Sequence, residues 1–222
     1  MPESDVESML AGIETEGQPS GFAIAAGIVV NNLDLIGEGR VQVRVPSVPG
    51  FNVWARLTAI GASSSRGFLW VPSRDDEVLV AFTKNDERDA YVLGGLWSTV
   101  NRPPVGTGVE AIVKRTLKTG QTSSLGHEIE LDDALQSITI TSSTEQKITI
   151  DPLKIELKNT AGTLTISLDN TTQTISVQAA AKLELKAAQV SIEGVQIELK
   201  GTTISVQAAG PCNVQGLPIK LN

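Results

Sequence analysis

Residues 183–206 read LELKAAQVSIEGVQIELKGTTISV, and this stretch decides the fold. Its large aliphatics fall in pairs two residues apart, and the pairs recur every seven residues as Leu183/Leu185, Val190/Ile192, Ile197/Leu199 and Ile204/Val206. Alternation at period two places both members of a pair on one face of a strand. A helical heptad needs apolar residues three and four apart. These sit two and five apart, so a helix would splay each pair by roughly 200° around its axis. Upstream the same pairing continues with looser spacing: Ile138/Ile140, Ile148/Ile150, Ile155/Leu157, Leu164/Ile166/Leu168 and Ile175/Val177. Turn signals separate the pairs, among them Asn159-Thr160-Ala161-Gly162, Asp169-Asn170, Glu193-Gly194 and Lys200-Gly201. Thr and β-branched residues fill the segments, as strands prefer.

The rest of the chain is built differently. All eight aromatics (Phe22, Phe51, Trp54, Phe68, Trp70, Phe82, Tyr91, Trp97) lie in the first 97 of the 222 residues, and none follows. Charge is uneven too, with 13 acids and 7 bases up to Trp97 (net −6) against 12 and 11 beyond it (net −1). A long stretch without aromatics is either disordered or a thin repeated element, and the regular pairing favours the second.

A thin ladder of short strands has no interior of its own. The nineteen aliphatics paired above would contribute roughly 30–60 kcal/mol if fully buried, against on the order of 100–200 kcal/mol for ordering a hundred residues. Neighbouring copies are therefore expected to supply the missing layer, each apolar row facing its symmetry mates around one axis. The expected assembly is an intertwined homo-oligomer whose core holds those nineteen residues, 138 to 206. A single-chain β-solenoid is the competing geometry, although its rungs are usually longer than seven residues.

Residues 22–97 read as five or six strands at 22–30, 39–45, 53–59, 67–71, 77–82 and 91–96, separated by turn clusters. That spacing over about 75 residues suits a small Greek-key barrel of the OB type. Its aromatics lie within apolar strands and are expected in the core. Residues 1–20 are polar, with a short helix expected around 6–10, and are expected to form a mobile or partner-docked arm. The expected organisation is an arm (1–20), a barrel (21–98), a linker (99–120) and a needle (121–222), all-β throughout.

Chemistry is sparse. One Cys (Cys212) rules out a disulfide framework, and one His (His127) rules out any His pair. Cys212 has no His near it in sequence and is expected as a packed thiol. His127 belongs to a strand rather than to a proton relay, and Asp132-Asp133 reads as a solvated turn. No Gly-x-x-x-x-Gly-Lys phosphate loop occurs. The expectation is no catalytic residue, no cofactor and no metal. The net charge of −7 argues against a protein that lives on phosphate backbones. The longest apolar run, 22–30, is too short to span a bilayer, and the acidic start lacks the basic region of a signal peptide.

Certain motifs resemble a known family. Gly39-Arg-Val-Gln-Val-Arg-Val-Pro46, Trp54-Ala-Arg56, Phe68-Leu-Trp-Val-Pro72, Asp76-Glu-Val-Leu-Val-Ala-Phe82 and Tyr91-Val-Leu-Gly-Gly-Leu-Trp97 with Pro103-Pro104 resemble, in order and spacing, the OB domain of the phage baseplate assembly protein V and VgrG spike family. Lys114-Arg-Thr-Leu-Lys-Thr-Gly120, Gly126-His-Glu-Ile-Glu-Leu-Asp-Asp133 and the ending Val214-Gln-Gly-Leu-Pro-Ile-Lys-Leu-Asn222 are similar to the family's spike. The resemblance implies a homotrimeric central spike with a triple-stranded β-helix, at the tip of a contractile tail or injection particle, made in the bacterial cytoplasm. It implies a trimeric tail hub at the barrel end, and transient contact with the target cell envelope on contraction. About 21 residues precede the barrel, where VgrG proteins carry a hub region, so a separate hub protein is expected. No His follows His127, so the His-x-His iron apex of some phage spikes is not expected. A separate PAAR-type tip protein is expected instead, docking on Leu217, Ile219 and Leu221. The readings set against this are an OB nucleic-acid module and a β-solenoid polysaccharide-binding or polysaccharide-degrading protein.

Overall fold

A computed structural model describes residues 23–83, 86–106, 108–120 and 126–219. The expected arm (1–20) and Leu221 lie outside the described residues.

Val41, Val43 and Val45 alternate with Gln42 and Arg44, and this pattern sets the inner and outer faces of β2 (Arg40–Arg44). It pairs antiparallel with β1 (Ala23–Asn31) on one side and β3 (Asn52–Leu57) on the other. β4 (Glu77–Thr83) pairs antiparallel with β1 and with β5 (Asp86–Gly95), and a parallel β3–β5 pairing closes the barrel in the order β1-β2-β3-β5-β4. Val29, Val41, Val43, Val45, Val53, Ala55, Val78, Val80, Phe82, Ala90 and Val92 form one buried cluster. The bore is narrow enough that a Cβ on Gly27 would lie 2.3 Å from Val43 Cγ1. Small β-branched side chains fill such a tapering interior without voids.

That narrowness overturns the expectation that the aromatics are core. Among the described aromatics, which leave out Phe22, only Phe82 is buried in the cluster, with Phe51 packed beside it at 6.0 Å between ring centroids. Trp54 and Tyr91 lie on the outer wall beneath the guanidinium groups of Arg40 (5.6 Å) and Arg56 (4.6 Å). Phe68, Trp70 and Trp97 are exposed. The expected strand at 67–71 is absent as well, because β5 already occupies the edge of β3. Phe68-Leu69-Trp70-Val71 instead belongs to the long β3–β4 loop, held by the Phe68 amide on the Ile60 carbonyl (3.1 Å) and a Ser63–Arg66 bridge.

The stretch 99–120, expected as a linker, carries a five-residue helix α1 (Val109–Val113) and then β6 (Lys114–Lys118). β6 opens a second sheet. It continues through β7 (Glu128–Asp132), β8 (Ser137–Thr141), β9 (Lys147–Ile150), β10 (Lys154–Lys158), β11 (Leu164–Asp169) and β12 (Thr174–Ala179). Each strand pairs antiparallel with the next, a seven-stranded meander in chain order. A solenoid would stack parallel rungs, so that competing geometry is not the one this segment adopts.

Polar residues at the strand exits fold the meander. The Asp132 carboxylate accepts the amides of Ala134 and Leu135 (both 2.9 Å), and Asp151 accepts those of Leu153 (2.8 Å) and Lys154 (2.9 Å). Ser142 Oγ accepts the Gln146 amide (3.0 Å), and Asn159 Oδ1 accepts the Leu164 amide (3.0 Å). Such side-chain caps satisfy turn donors that no strand reaches. Asp169 is the most heavily used, accepting the Thr171 hydroxyl (2.6 Å) and the amides of Thr171 (2.8 Å) and Thr172 (2.9 Å). The Thr171 hydroxyl first, then the Thr172 amide, hold its carboxyl down at about 2, below the ordinary 3.8.

A carboxylate with a depressed native pKa contributes stability that is complete above its unfolded value and lost as pH falls towards the native one. Between pH 3.8 and about 2, denaturant midpoints of the wild type are expected to fall. Asp169→Asn is expected to start lower and to lose the part of the slope that this carboxylate supplies.

The chain divides into two compact units, 1–180 and 181–222. Among the described residues of the second, 181–219, no strand is formed within the chain. Residues 180–212 contain no Asp or Asn, the residue types that supply four of the five turn caps named in the meander. The seven-residue pairs run along backbone that pairs with no other strand of the chain. Leu183 and Leu185, Val190 and Ile192, Ile197 and Leu199, and Ile204 and Val206, all expected in a core, are exposed in the single chain. The reason is physical: without capped turns the segment cannot fold a second layer of its own over them.

Candidate assembly face

Strand register collects the separate apolar pairs into two continuous rows. One runs Leu117, Ile129, Ile140, Ile148, Leu157, Ile166, Val177, each residue directly opposite the next across the sheet. The other runs Leu131, Ile138, Ile150, Ile155, Leu168, Ile175. Both rows lie on the same face, because their members sit two apart in each strand. A slip of one residue in any hairpin would transfer that strand's aliphatics to the opposite side, which is what the capped turns prevent.

The opposite face is polar. Lys118 pairs with Glu128 (3.1 Å), and Lys114 reaches Glu130 (3.5 Å) and Asp132 (3.8 Å). Glu156 lies between Lys154 (2.9 Å) and Lys158 (3.3 Å). The hydrogen bond from Lys154 leads the influences that hold the Glu156 carboxyl below its usual range. Partly exposed pairs of this kind set which side faces water more than they add stability.

The apolar rows are uncovered in the single chain. Their exposure runs from 36% at Ile148 to 72% at Ile175, whereas the innermost barrel valines are closed off completely. Contiguous exposed apolar rows of this kind are uncommon on the free surface of a monomeric protein. Of the nineteen expected core residues, eleven share this sheet face: Ile138, Ile140, Ile148, Ile150, Ile155, Leu157, Leu164, Ile166, Leu168, Ile175 and Val177. The other eight, Leu183, Leu185, Val190, Ile192, Ile197, Leu199, Ile204 and Val206, lie in the second unit without strand partners in the chain. Leu117, Ile129 and Leu131 belong to the rows although they were not among the nineteen; the alternation of Glu128-Ile-Glu-Leu-Asp132 carried that signal.

The remaining named residues are placed as follows. Leu217 and Ile219 are exposed, as is Cys212, the expected packed thiol, because within the chain no second layer forms over that segment. His127 Nδ1 accepts the Ser143 amide (3.3 Å), and the His127 amide donates to Thr119 Oγ1 (2.8 Å). Asp132 is buried rather than solvated, and Asp133 pairs with Arg115 at 2.7 Å. Among the described residues no three His, Cys, Asp or Glu side chains gather as a metal site, and no helix is long and apolar enough to cross a membrane.

At the end of the barrel from which the chain leaves β5, an open groove of about 920 Å³ is lined by Leu57, Ile60, Phe68, Trp70, Leu93, Trp97 and Val105 and extends to Leu117. Phe68 and Trp70 stack there at 6.1 Å, nearly parallel. The barrel thus shows a dry, complete interior and an apolar rim, with the outer-wall aromatics paired to arginine.

Residues 25–97 match the family model described as the Type VI secretion system/phage-baseplate injector OB domain. No curated protein sequence matches the chain. The matched span runs from Ala25 in β1 through β5 to Trp97, all of the closed barrel but the first two residues of β1. Over the barrel, therefore, and over about a third of its residues, the chain is similar to the baseplate injector OB domains of Type VI secretion systems and phages.

Proposed function

We propose that the protein is the structural central spike of a contractile tail or injection particle. Three copies associate through the apolar sheet faces. Beyond residue 180 they wind together as a triple-stranded β-helix that pierces the target envelope when the sheath contracts. The observation that carries this reading is the double apolar row, thirteen aliphatics exposed on one sheet face. Three such faces turned inward make a dry prism. The exposed pairs at 183–206 find in neighbouring copies the strand partners they lack in their own chain.

The role is mechanical. Strands paired around a dry axis resist buckling, and the absence of aromatics after Trp97 keeps the axis narrow. A trimeric hub at the barrel and a PAAR-type tip protein on Leu217, Ile219 and Leu221 complete the proposed assembly. The nucleic-acid alternative gains little from the barrel. Residues 23–97 carry 8 acids and 7 bases, net −1, and Arg40 and Arg56 are engaged with Asp34 and Asp89. A filter assay with single-stranded oligonucleotides would reveal salt-dependent retention if that alternative held.

Light scattering on the intact protein tests the proposal. The expected mass is three times the 23.4 kDa chain, and a well-folded single chain would overturn it. The trimer is also expected to run as a slow band on a denaturing gel when the sample is not boiled.

A further inference from the structure

The loop between β1 and β2 presents Leu33, Leu35 and Ile36 to solvent, with exposures of 66%, 87% and 71%. Its backbone is nevertheless locked. Asp34 Oδ2 accepts the amides of Glu38 (2.8 Å) and Arg40 (3.0 Å), while Oδ1 accepts the Ile36 amide (3.2 Å) and the Arg40 guanidinium (3.3 Å). Asn31 Oδ1 accepts the Leu33 amide (3.0 Å), and Asn32 Nδ2 donates to the Pro72 carbonyl (3.1 Å). Gly37 and Gly39 take the left-handed backbone (φ 78° and 72°) that the tight return requires. Partial burial pushes the Asp34 carboxyl up, but the hydrogen bonds from Arg40, Ile36 and Glu38 outweigh that and leave it below its usual range. A loop fixed by this many bonds with three large aliphatics pointing outward is a preorganised knob, since its ordering cost is already met before anything docks.

The groove containing Ile60, Phe68, Trp70, Leu93 and Trp97 lies at the same end of the barrel, the end where β1 finishes and β5 leads out. None of the three knob residues lines it. Knob and groove are two different apolar patches on one domain, so a contact between copies that joins them is head-to-tail, the kind of contact from which a closed ring of three is built when each step turns by a third. The groove also runs on to Leu117, the first member of an apolar row. Whatever covers that row therefore reaches the groove.

We propose that Leu33, Leu35 and Ile36 of each copy seat in the groove formed by Ile60, Phe68, Trp70, Leu93 and Trp97 of the next copy, locking the three barrels into a ring. The inference rests on the trimer reading and adds a contact that the needle alone does not require. The occupant is a second copy rather than the hub, because the groove runs on to Leu117, where the apolar row on which the proposed trimer closes begins.

Paired cysteines test it on the full-length chain with Cys212→Ser as background. Leu35→Cys with Leu93→Cys is expected, under mild oxidation, to give covalent dimers and trimers at least tenfold faster than Leu35→Cys with Val48→Cys. Val48 is also exposed but lies in the β2–β3 loop at the other end of the barrel. All three substitutions are at exposed positions, so the barrel core is left intact. A three-chain mass by light scattering with no interchain ladder would overturn the knob-and-groove contact and leave the trimer standing. Crosslinking by Leu35→Cys alone, or a disulfide closed within one chain, would also overturn it. A single-chain mass would overturn both.

Discussion

Ile148→Asp is expected to turn a three-chain particle into a folded-barrel monomer. Ile148 sits mid-row, opposite Ile140 on one side and Leu157 on the other, and is the least exposed member of either row at 36%. In the single chain an aspartate there still reaches water, so the barrel has no reason to unfold. In the trimer three carboxylates enter one dry layer. At several kcal/mol for each unpaired buried charge, the penalty is on the order of 10 kcal/mol, about seven decades in the association constant. Sedimentation or light scattering reads the mass, and near-ultraviolet circular dichroism of the barrel tryptophans reads the fold. A stable three-chain particle carrying Ile148→Asp would exclude this face as the interface. Ile197→Asp is expected to act in the same direction on the proposed β-helix.

Val80→Asp is expected to do the reverse. Val80 is completely buried on β4, with Cγ2 only 3.3 Å from where a Cβ on Gly27 would lie, so there is no room for a hydrated carboxylate. The lost burial of about 1.5–3 kcal/mol and the several kcal/mol of a buried ionised group together rival the 5–15 kcal/mol that stabilises an ordinary domain. The barrel is expected to unfold and to become protease-sensitive. If the proposed trimer holds residues 114–219 together, they are expected to remain as a resistant three-chain fragment. Loss of the trimer along with the barrel would show that the barrels, rather than the sheet and needle, nucleate assembly. The two substitutions therefore separate a module with its own interior from one that borrows it.

The division between what could be read from the chain and what could not follows from where the information is stored. Period-two pairs at Ile138/Ile140, Ile148/Ile150 and Ile155/Leu157 identify strands and their apolar side, because side-chain direction alternates with each residue wherever a strand goes. Valine alternation in Val41-Gln-Val-Arg-Val45 likewise marks a barrel wall. Pairing partners are another matter. Whether an apolar pair finds its neighbour within the chain or in another copy depends on turn closure. Asp132, Ser142, Asp151, Asn159 and Asp169 turn 128–179 into an intrachain meander, while 181–219 goes without such caps. Leu185, Ile192 and Leu199 carry the same alternation as Ile140 and Ile150, yet only the latter gain a cross-strand neighbour in their own chain. Phe68, Trp70 and Trp97 looked like core because they lie in apolar surroundings in sequence. The closed barrel had already filled its bore with valines, leaving them on the rim.

By itself, the order of residues determined that this protein is all-β, that it changes character at Trp97, and that short strands with one dry side follow as far as Ala179. Periodicity and composition are local properties and survive without coordinates. Only the tertiary structure decided that the dry sides line up as two unbroken rows, that β6 begins inside the expected linker, and that a rigid aliphatic knob and an aromatic groove share one end of the barrel. Register, closure and coincidence in space arise from contacts between residues far apart in the chain, and no local pattern encodes them.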